Sequence, residues 1–461
     1  MSSRAPPTAA ARVVTIDLAQ LAANWRALAA LARPAACAAV VKADAYGLGA
    51  ARVVPALAAA GCRTFFVATF DEAVAVRAVV PSANANMPVA TRSGAIGPSA
   101  IGPGATMAGV YVLDGLLPGT AARLIAAGVA PVLGTLAEVR EWAAACRAIG
   151  KRYRAAIQIN SGMNRTGLEP AECDALIAEP GLLAAFEPAF VMSHLACADD
   201  PAAALNGQQL AAFQAAGQRF KAVAGFEAVP LSLAASAGML LGREYYFDLV
   251  RPGYAVYGAQ PSAVGARLPV KPAVTVEARV LSVRDVERGG CVGYGAMWTA
   301  QRRSRIATLA IGYADGFARS AGGDQSGGLE SGGLEPGGVR AGSSIGDVGR
   351  GLVAFGGQLV PVIGRVSMDL VTIDVTDLAD RAPTRGDLVE VIGPTVTLAD
   401  AARAAGTLGY EVLTRLSQRA TRVYRDGPPD HDSTAGASDT EDEDTEDGDT
   451  EDGDTEDGGG V

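Results

Sequence analysis

Lys42 is the residue of this sequence whose type and position most directly offer chemistry. It ends the apolar run of residues 38–41, and a Tyr-Gly-Leu-Gly turn begins four residues later. This pattern predicts a lysine at the junction of a buried strand and a loop. Burial favours the neutral amine, which is the nucleophile that Schiff-base chemistry needs. A lysine that extends from a strand end into solvent would give the same pattern. The other three lysines lie in polar or proline-flanked settings, so Lys42 is the candidate nucleophile.

Eight short apolar runs position this lysine and other polar residues. Seven runs between residues 65 and 250 alternate with Ala- and Leu-rich helical stretches, and the run before Lys42 makes the eighth. The alternation predicts parallel strands, and eight of them predict an α/β fold of the (β/α)8 TIM-type barrel class. An open, doubly wound sheet is the structural alternative. Arg165, His194, Ser236 and Arg251 come at or just after the ends of the runs, where such barrels carry their active sites.

The pattern changes after Lys271, where period-two alternation and glycine turns replace the helical stretches until residue 398. This change predicts a mainly β C-terminal domain after the barrel. We place the barrel at residues 13–262 and the β-rich domain at residues 263–425. Residues 1–12 and the acidic tail at 426–461 are expected to be disordered. The Gly/Pro-rich segment near residues 91–108 and the repetitive insertion at residues 320–346 are expected to be flexible surface loops.

The net charge of −10 is concentrated in the tail, because 16 acidic and no Lys or Arg residues follow Arg425. The rest of the chain carries 33 acidic and 39 basic residues, a net charge of +6. Its arginines form no cluster interleaved with aromatics, which argues against a nucleic-acid partner. The six scattered cysteines indicate free thiols rather than disulfides or a metal site. No apolar stretch is long enough to cross a bilayer. We expect a cytoplasmic protein without a membrane partner.

The segment Val-Val-Lys-Ala-Asp-Ala-Tyr-Gly-Leu-Gly around Lys42 resembles the pyridoxal-phosphate lysine motif of the alanine racemase family. Further motifs occur in the family's order: Ser-Gly-Met-Asn-Arg-Thr-Gly at 161–167, Met-Ser-His-Leu-Ala at 192–196, Phe-Asp-Leu-Val-Arg-Pro-Gly-Tyr at 247–254 and Val-Gly-Tyr-Gly at 292–295. The resemblance covers roughly residues 13–424. It implies a fold type III enzyme that uses pyridoxal 5'-phosphate to interconvert L- and D-alanine, supplying D-alanine for peptidoglycan.

The resemblance implies a partner for each group of the cofactor. Lys42 would form the Schiff base, Arg165 would hold the ring phenolate and contact substrate, and Arg251 would face the ring nitrogen. The phosphate would lie among hydroxyl and backbone N–H donors, which suit a dianion. These donors would be Tyr46, Ser236, the amides of Gly253 and Tyr254, and Tyr410. Because arginine only donates hydrogen bonds, the ring nitrogen would stay unprotonated, and transamination would be discouraged.

Racemisation removes a proton from one face of the α-carbon and delivers one to the other face. The resemblance implies Lys42 and Tyr294 as the two bases. A tyrosine keeps its proton at neutral pH, so Tyr294 would need help from His194, which would also contact Arg251. Tyr313 and Met368 would lie near the substrate. In the family, the residues that match Tyr294, Tyr313 and Met368 reach the lysine of the other subunit, so a homodimer with shared active sites is implied.

The sequence departs from the commonest family pattern at four positions. Leu48 replaces a frequent histidine, Gln158 a lysine that becomes carbamylated, Asn160 an aspartate, and Ala235 an asparagine. Gln158 is expected to hydrogen-bond to Arg165, but it carries no charge. None of these changes removes a catalytic group.

Three alternative functions remain open at this point. A decarboxylase of the same fold type would normally pair the ring nitrogen with an acidic residue, whereas this chain has Arg251. A broad-specificity amino-acid racemase would use the same residues. A non-enzymatic barrel protein that only carries the cofactor would lack the β-rich domain that contains Tyr294.

Overall fold

A computed structural model describes residues 10–80, 109–261, 266–323, 351–378 and 381–426. The segment at 91–108, most of the insertion at 320–346 and the tail beyond Asp426 lie outside these ranges. Among the helices of the described ranges, none is long and apolar enough to cross a membrane.

The first part of the chain forms a closed barrel of parallel strands. Its members are β2 (Ala36–Cys37), β3 (Ala39–Val40), β4 (Thr64–Val67), β5 (Gly109–Val112), β6 (Ala130–Leu133), β7 (Arg154–Gln158), β8 (Glu187–Met192), β9 (Leu231–Ser232) and β10 (Leu249–Val250). Strands β3 to β9 pair in chain order, and β10 pairs with β2. Because β2 and β3 are separated only by Ala38, whose N–H donates to Val250 O, they share one position of the ring. The eight predicted strands and the barrel are therefore confirmed.

Helices surround this barrel: α1 (Leu18–Ala32), α2 (Ala50–Ala60), α3 (Phe70–Val79), α4 (Ala121–Ala127), α5 (Leu136–Ile149), α6 (Pro170–Ala178), α7 (Pro180–Leu183) and α8 (Ala204–Lys221). Capping boxes define the starts of α3 and α5, where Thr69 pairs with Glu72 and Thr135 with Glu138. Inside the barrel, Phe66, Tyr111 and Phe190 pack with ring centroids 4.8–5.7 Å apart. This apolar plug leaves the strand ends as the place for polar side chains.

The second part of the chain is mainly β, as predicted. Its strands are β11 (Val274–Val286), β12 (Cys291–Val292), β13 (Trp298–Thr299), β14 (Ser304–Leu309), β15 (Leu352–Phe355), β16 (Gln358–Ile363), β17 (Val371–Asp374), β18 (Leu388–Ile392) and β19 (Thr421–Arg425). Six of them close in the order β14-β17-β16-β15-β18-β11, because β11 also pairs with β14. The long β11 pairs with β18 through residues 276–279 and with β14 through residues 280–286, and its register against β14 shifts between Val280 and Ser282. Helices α9 (Leu398–Ala405) and α10 (Gly409–Thr414) precede β19.

The first strand, β1 (Arg12–Asp17), lies in this second sheet although its residues precede the barrel in the chain. It pairs antiparallel with β11 and parallel with β19. Its apolar side chains Val13, Val14 and Ile16 are fully buried. Asp17 then caps α1 by accepting the N–H of Gln20 at 2.7 Å. The β1 strand thus joins the β-rich part to the start of the barrel.

Candidate active site

Lys42 directly follows the barrel strand and opens a left-handed turn, which we call the lysine turn (residues 42–47). Ala43, Asp44, Ala45 and Tyr46 have φ values of 53–57°. For residues with a Cβ atom this conformation costs roughly 1–2 kcal/mol each, so other contacts must hold it. The Lys42 side chain is exposed in the isolated chain. Val41 before it is buried, so Lys42 does stand at the junction of a buried strand and a turn, but the expected burial of Lys42 itself is not observed within one chain.

Two carboxylates fix the ends of the lysine turn. Ala43 N–H donates to Glu72 Oε1 at 2.8 Å, and Glu72 also caps α3. Asp44 Oδ1 accepts the N–H of Ala50, the first residue of α2, at 2.7 Å. Glu72 was not predicted as a site residue. The capping-box spacing of Thr69 and Glu72 was a local signal for its helix, but not for its contact with the lysine turn.

Arg251 is the most deeply buried cation of the site, with 3% of its surface exposed. It donates to Ser232 Oγ, to Ser193 O at 2.6 Å and to Leu233 O at 3.3 Å. Burial lowers the pKa of Arg251 to about 9, so the side chain stays protonated at neutral pH. No acceptor for its Nε–H is found among the described residues. The side chain is thus held by neutral oxygens. Three of its five N–H donors are used in these bonds, so the Nε–H and one Nη1–H remain for a ligand.

Ser232 is the anchor of Arg251 that the sequence reasoning missed. Its hydroxyl is fully buried and donates to Leu249 O at 2.6 Å while accepting from Arg251. A lone polar residue within an apolar barrel strand was the available signal. Asp248, three residues before Arg251, binds elsewhere, because its Oδ2 accepts the N–H of Leu231 at 2.8 Å.

Three cations surround His194. Burial, and after it the charges of Arg251, Arg165 and Lys42, lower the pKa of His194 to about 3. The imidazole is therefore neutral at physiological pH, and these basic residues from four strand ends face one region. The expected hydrogen bond between His194 and Arg251 is not observed among the described residues.

Ser236 and the segment after Arg251 form a cup of hydrogen-bond donors. The backbone N–H groups of Gly253 and Ala255 donate to Ser236 Oγ at 3.1 and 3.2 Å. A hydroxyl oxygen has two acceptor lone pairs, and both are occupied, so the hydroxyl proton is directed to another acceptor. Tyr254 N–H starts a short 3₁₀ turn and has no acceptor within that turn. These groups suit an anion.

Four tyrosines wall this cup. Tyr254 and Tyr410 stack with ring centroids 3.9 Å apart, and Tyr46 lies 4.6 Å from Tyr257. Burial is the main cause that raises the pKa of Tyr46, and the nearby Tyr410 adds to it. Burial and, after it, the charge of Asp199 raise the pKa of Tyr410 to about 12. Both phenols therefore remain neutral donors. A Cβ atom at Gly253 would lie 2.4 Å from Tyr46 Oη, so this close approach requires glycine.

Asn160 organises the loop that carries Arg165. Its Oδ1 accepts the N–H groups of Gly162 and Asn164 at 3.0 and 3.1 Å. Its Nδ2 donates to Asn164 Oδ1 and to Glu169 Oε1, both at 2.8 Å. Arg165 itself is exposed.

Gln158 does not form the hydrogen bond to Arg165 that was expected. Its Nε2 donates to Thr166 Oγ1 at 2.7 Å and to Thr166 O at 3.3 Å. Gln158 is buried at the end of β7. It therefore supports the residue next to Arg165 rather than the guanidinium itself.

Tyr294, Tyr313 and Met368 lie on neighbouring loops of the β-rich part, which we call the exposed rim together with Leu370. Their exposed fractions are 72%, 43%, 53% and 39% in that order. Tyr313 N–H donates to Ser367 O at 3.1 Å. Within the described part of the chain, no hydrogen bond connects Tyr294 to Lys42 or His194. The described contacts of one chain therefore link the barrel residues with one another and do not link Tyr294 to them.

Buried Asp315 holds the rim in place. Its carboxylate accepts from Arg12 at 2.8 Å, from Arg419 at 3.0 Å and from Gly312 N–H at 3.0 Å. Arg419 also donates to Asp369 at 2.7 Å, next to Met368. These contacts fix the loops of Tyr313 and Met368 relative to each other.

Comparisons with known proteins agree with this architecture. Two family models match: "Alanine racemase, N-terminal domain" at residues 16–261 and "Alanine racemase, C-terminal domain" at residues 273–424. The chain is 42% identical over 414 residues to the alanine racemase of Methylobacterium nodulans, covering 90% of this chain and 96% of that protein. It is 40% identical over 416 residues to the alanine racemase of Rhodospirillum rubrum, with the same coverage of both chains. A crystal structure of alanine racemase from Bartonella henselae with covalently bound pyridoxal phosphate is 35% identical, with a TM-score of 0.75, covering 90% of this chain and 100% of that one.

Proposed function

Since this chain belongs to the alanine racemase family, we propose that it interconverts L- and D-alanine with pyridoxal 5'-phosphate bound on Lys42. The observation that carries this proposal is that Lys42, Arg165, His194 and Arg251 all follow the carboxyl ends of barrel strands, with the three cations near enough to lower the pKa of His194. In parallel barrels this face carries the active site.

The donor cup fits the phosphate of this cofactor. The Ser236 hydroxyl proton, the Tyr254 N–H and the neutral phenols of Tyr46 and Tyr410 supply the donors. Gly253 allows the close backbone approach that a side chain would block. When bound through Lys42, pyridoxal phosphate supplies an electron sink that acidifies the α-hydrogen of the substrate.

Arg251 is suited to face the pyridine nitrogen. It stays protonated and has only donors, so a ring nitrogen beside it keeps its lone pair. Ser232 and the carbonyls of Ser193 and Leu233 orient the guanidinium from behind. This arrangement favours return of a proton to the α-carbon. A decarboxylase of the same fold type would have an acidic residue in the place of Arg251.

Lys42 and Tyr294 serve as the two bases in this proposal, one on each face of the α-carbon. Arg165 contacts the phenolate and the substrate, and the backbone at Met368 contacts the substrate carboxylate, with Tyr313 beside it. Tyr294 and Lys42 are both exposed in the isolated chain. A tyrosine from one subunit can therefore reach a lysine of another without either leaving its own fold.

The exposed rim supports a homodimer. Large apolar side chains clustered at a surface mark interaction sites, and the loops of Tyr313 and Met368 are fixed by the Asp315 contacts. In a two-fold dimer the same surface is used twice, so two rims would complete two active sites. Each site would combine the barrel face of one subunit with the rim of its partner.

Chiral analysis of alanine tests the proposed activity. Purified protein with added pyridoxal phosphate should convert L-alanine towards an equal mixture of enantiomers, and borohydride should fix the cofactor to the peptide that contains Lys42. Lys42→Ala should abolish both results, whereas the matched surface variant Lys151→Ala should change neither. Cofactor fixed at Lys151, Lys221 or Lys271 would refute the assignment of Lys42, and absence of D-alanine would refute the activity.

A further inference from the structure

The left-handed lysine turn needs support from outside its own segment. Four consecutive residues with Cβ atoms hold positive φ values, a conformation that persists only where surrounding contacts impose it. Hydrogen bonds within the segment, such as Gly49 N–H to Asp44 O at 2.9 Å, leave the carbonyls of Gly47 and Leu48 for other donors.

The last strand of the chain supplies those donors. Arg422 Nε and Nη2 donate to Gly47 O at 3.2 and 2.8 Å, and Tyr424 Oη donates to Leu48 O at 3.0 Å. Both residues belong to β19, which pairs with β1 in the sheet of the β-rich part. The contacts join positions 375 and 376 residues apart in sequence.

The packing around these bonds leaves little freedom. A Cβ atom at Gly49 would lie 2.2 Å from Tyr424 Oη, and one at Gly47 would lie 3.0 Å from Leu413 O. The Arg52 guanidinium covers the Tyr424 ring at 5.1 Å from its centroid. The turn is therefore pressed against β19 and α10 of the second part of the chain.

We propose that Arg422 and Tyr424 are positioning residues that clamp the lysine turn and thereby set where Lys42 presents its amine. They touch neither substrate nor cofactor and act through the carbonyls of Gly47 and Leu48. The clamp makes the geometry of the barrel's nucleophile depend on the β-rich part of the same chain. Its consequence for cofactor binding rests on the function proposed above, whereas its effect on the backbone does not.

Tyr424→Phe and Arg422→Lys test the clamp, with Arg152→Lys as the matched control. Arg152 also donates from Nε and Nη2 to one carbonyl, Phe186 O, at 3.2 and 2.8 Å, but far from the lysine turn in sequence. Arg422 donates in addition to Ser417 O and Leu416 O at 3.3 and 3.2 Å, so Tyr424→Phe is the variant that removes a single bond. Hydrogen–deuterium exchange followed by mass spectrometry would be measured on each full-length protein, with and without pyridoxal phosphate. Removal of one hydrogen bond should speed exchange of the amides in residues 42–50 about fivefold.

The control should leave exchange at residues 42–50 unchanged. The melting temperature of Tyr424→Phe should stay within about 2 °C of the unsubstituted protein, because a single bond is lost from a large domain. The affinity of the cofactor-free protein for pyridoxal phosphate, read from visible absorbance, should fall about threefold to tenfold in both clamp variants.

Three results would overturn the clamp. The first is exchange at residues 42–50 no faster in the clamp variants than in Arg152→Lys. The second is faster exchange throughout the chain with a large loss of melting temperature, which would mean that β19 supports the whole fold. The third is faster local exchange with unchanged cofactor affinity. If the unsubstituted protein fails to racemise alanine while local exchange responds as expected, the proposed activity fails and the backbone clamp stands.

Discussion

At the scale of single residues, Arg251 is a buried cation for which the described residues offer no carboxylate partner. A buried charge without a counter-ion is costly, and neutral oxygens offset that cost here. Arg251, held without a counter-ion, can donate a hydrogen bond to a nitrogen of a bound ligand. His194 also follows from its surroundings, because burial and three nearby cations lower its pKa and keep the imidazole neutral.

Replacing His194 with Gln should change how stability depends on pH. The pKa of His194 is about 3 in the folded chain, against an ordinary value of 6.5. Below pH 6.5 the unfolded chain therefore takes up a proton that the folded chain does not, so the free energy of unfolding falls as pH decreases towards 3. The loss should approach about 1.4 kcal/mol per pH unit.

Urea unfolding between pH 7.5 and 5, a range chosen above most carboxyl titration, measures this effect. His194→Gln should lose stability less steeply on acidification than the unsubstituted protein. Parallel curves for the two proteins would contradict the lowered pKa. His431, the other histidine, is common to both proteins and cancels from the difference.

Replacing Tyr294 with Phe should remove one proton path and leave the cofactor site whole. Visible absorbance of the bound cofactor should persist while racemisation falls, since loss of a general acid–base group costs typically about 10²–10⁴-fold. Exchange of the α-hydrogen with solvent should survive for the alanine enantiomer served by Lys42 and be largely lost for the other. Tyr153→Phe is the matched control and should racemise normally. Equal loss of exchange for both enantiomers would argue against two bases.

At the scale of elements, capping glutamates connect neighbouring loops around the barrel. Glu72 accepts from Ala43 N–H at 2.8 Å, and Glu138 accepts from Leu116 N–H at 2.9 Å. Each glutamate also caps its own helix. The loops at the carboxyl ends of the strands are thus tied to the helix that follows the next strand, which gives the site a rigid base.

The Arg165 loop depends on an amide at position 160, because Nδ2 of Asn160 donates to Glu169 Oε1 at 2.8 Å. Asn160→Asp would remove that donor and place two carboxylates together. This contact is exposed, and an interaction between exposed charges is worth roughly 0.2–1 kcal/mol. The Arg165 loop should therefore shift, and kcat/KM for alanine should fall about twofold to fivefold. Adding Glu169→Gln should restore most of the loss, because a Gln side chain can donate to the carboxylate introduced at position 160. Steady-state kinetics of both single variants and the double variant measure this coupling, and equal activity of Asn160→Asp and the parent would refute it.

The barrel was predictable from the sequence, whereas the lysine turn was not. The eight strands are recognisable in the sequence as short apolar runs between helical stretches. Their carboxyl ends bring His194, Ser236 and Arg251 to one face. Positive φ at Ala43 to Tyr46 opposes the local preference of those residues, and contacts with β19 some 375 positions away impose it. Sequence patterns report local preference, so a conformation imposed from a distance leaves no local signal. The same holds for Ser232, whose partner Arg251 lies in another strand-end segment.

At the scale of the whole molecule, β1 and β19 connect the two parts of the chain. β1 leads into the first barrel helix, and β19 contacts the lysine turn. The barrel site and the β-rich part are therefore one functional unit even before a second subunit is considered.

The acidic tail should be dispensable for folding and turnover. Its composition has too little apolar surface to form a core, and the matched family region ends at residue 424. A chain stopped after Arg425 should keep its oligomeric state in size-exclusion chromatography and its kcat for alanine. Loss of either would indicate that the acidic residues bind the net positive remainder of the chain.

Complementation between two inactive variants tests whether the active site is shared between subunits. Lys42→Ala lacks one base and Tyr294→Phe lacks the other, so neither homodimer should racemise alanine at an appreciable rate. A mixed dimer has one site with both lesions and one site with Lys42 and Tyr294 intact. After subunit exchange of equal amounts, half of the dimers are mixed, and each mixed dimer has one intact site of two. Roughly a quarter of all sites are then intact, so the activity should recover to roughly a quarter of that of the same amount of unsubstituted protein.

Mass spectrometry of the intact dimers must show the mixed species, because only then does the rate report on the architecture. A mixture of Tyr294→Phe with Tyr153→Phe is the control for subunit exchange. Its active sites do not depend on complementation, because Tyr153→Phe keeps both Lys42 and Tyr294. If mixed dimers of the first pair form and no activity returns, both bases come from one chain. That chain would have to bring its rim to its own barrel face, which no hydrogen bond of Tyr294 within the described ranges supports. Recovery is the expected result, because Tyr294 and Lys42 are both exposed on one chain and each completes a site with the other subunit in the proposed dimer.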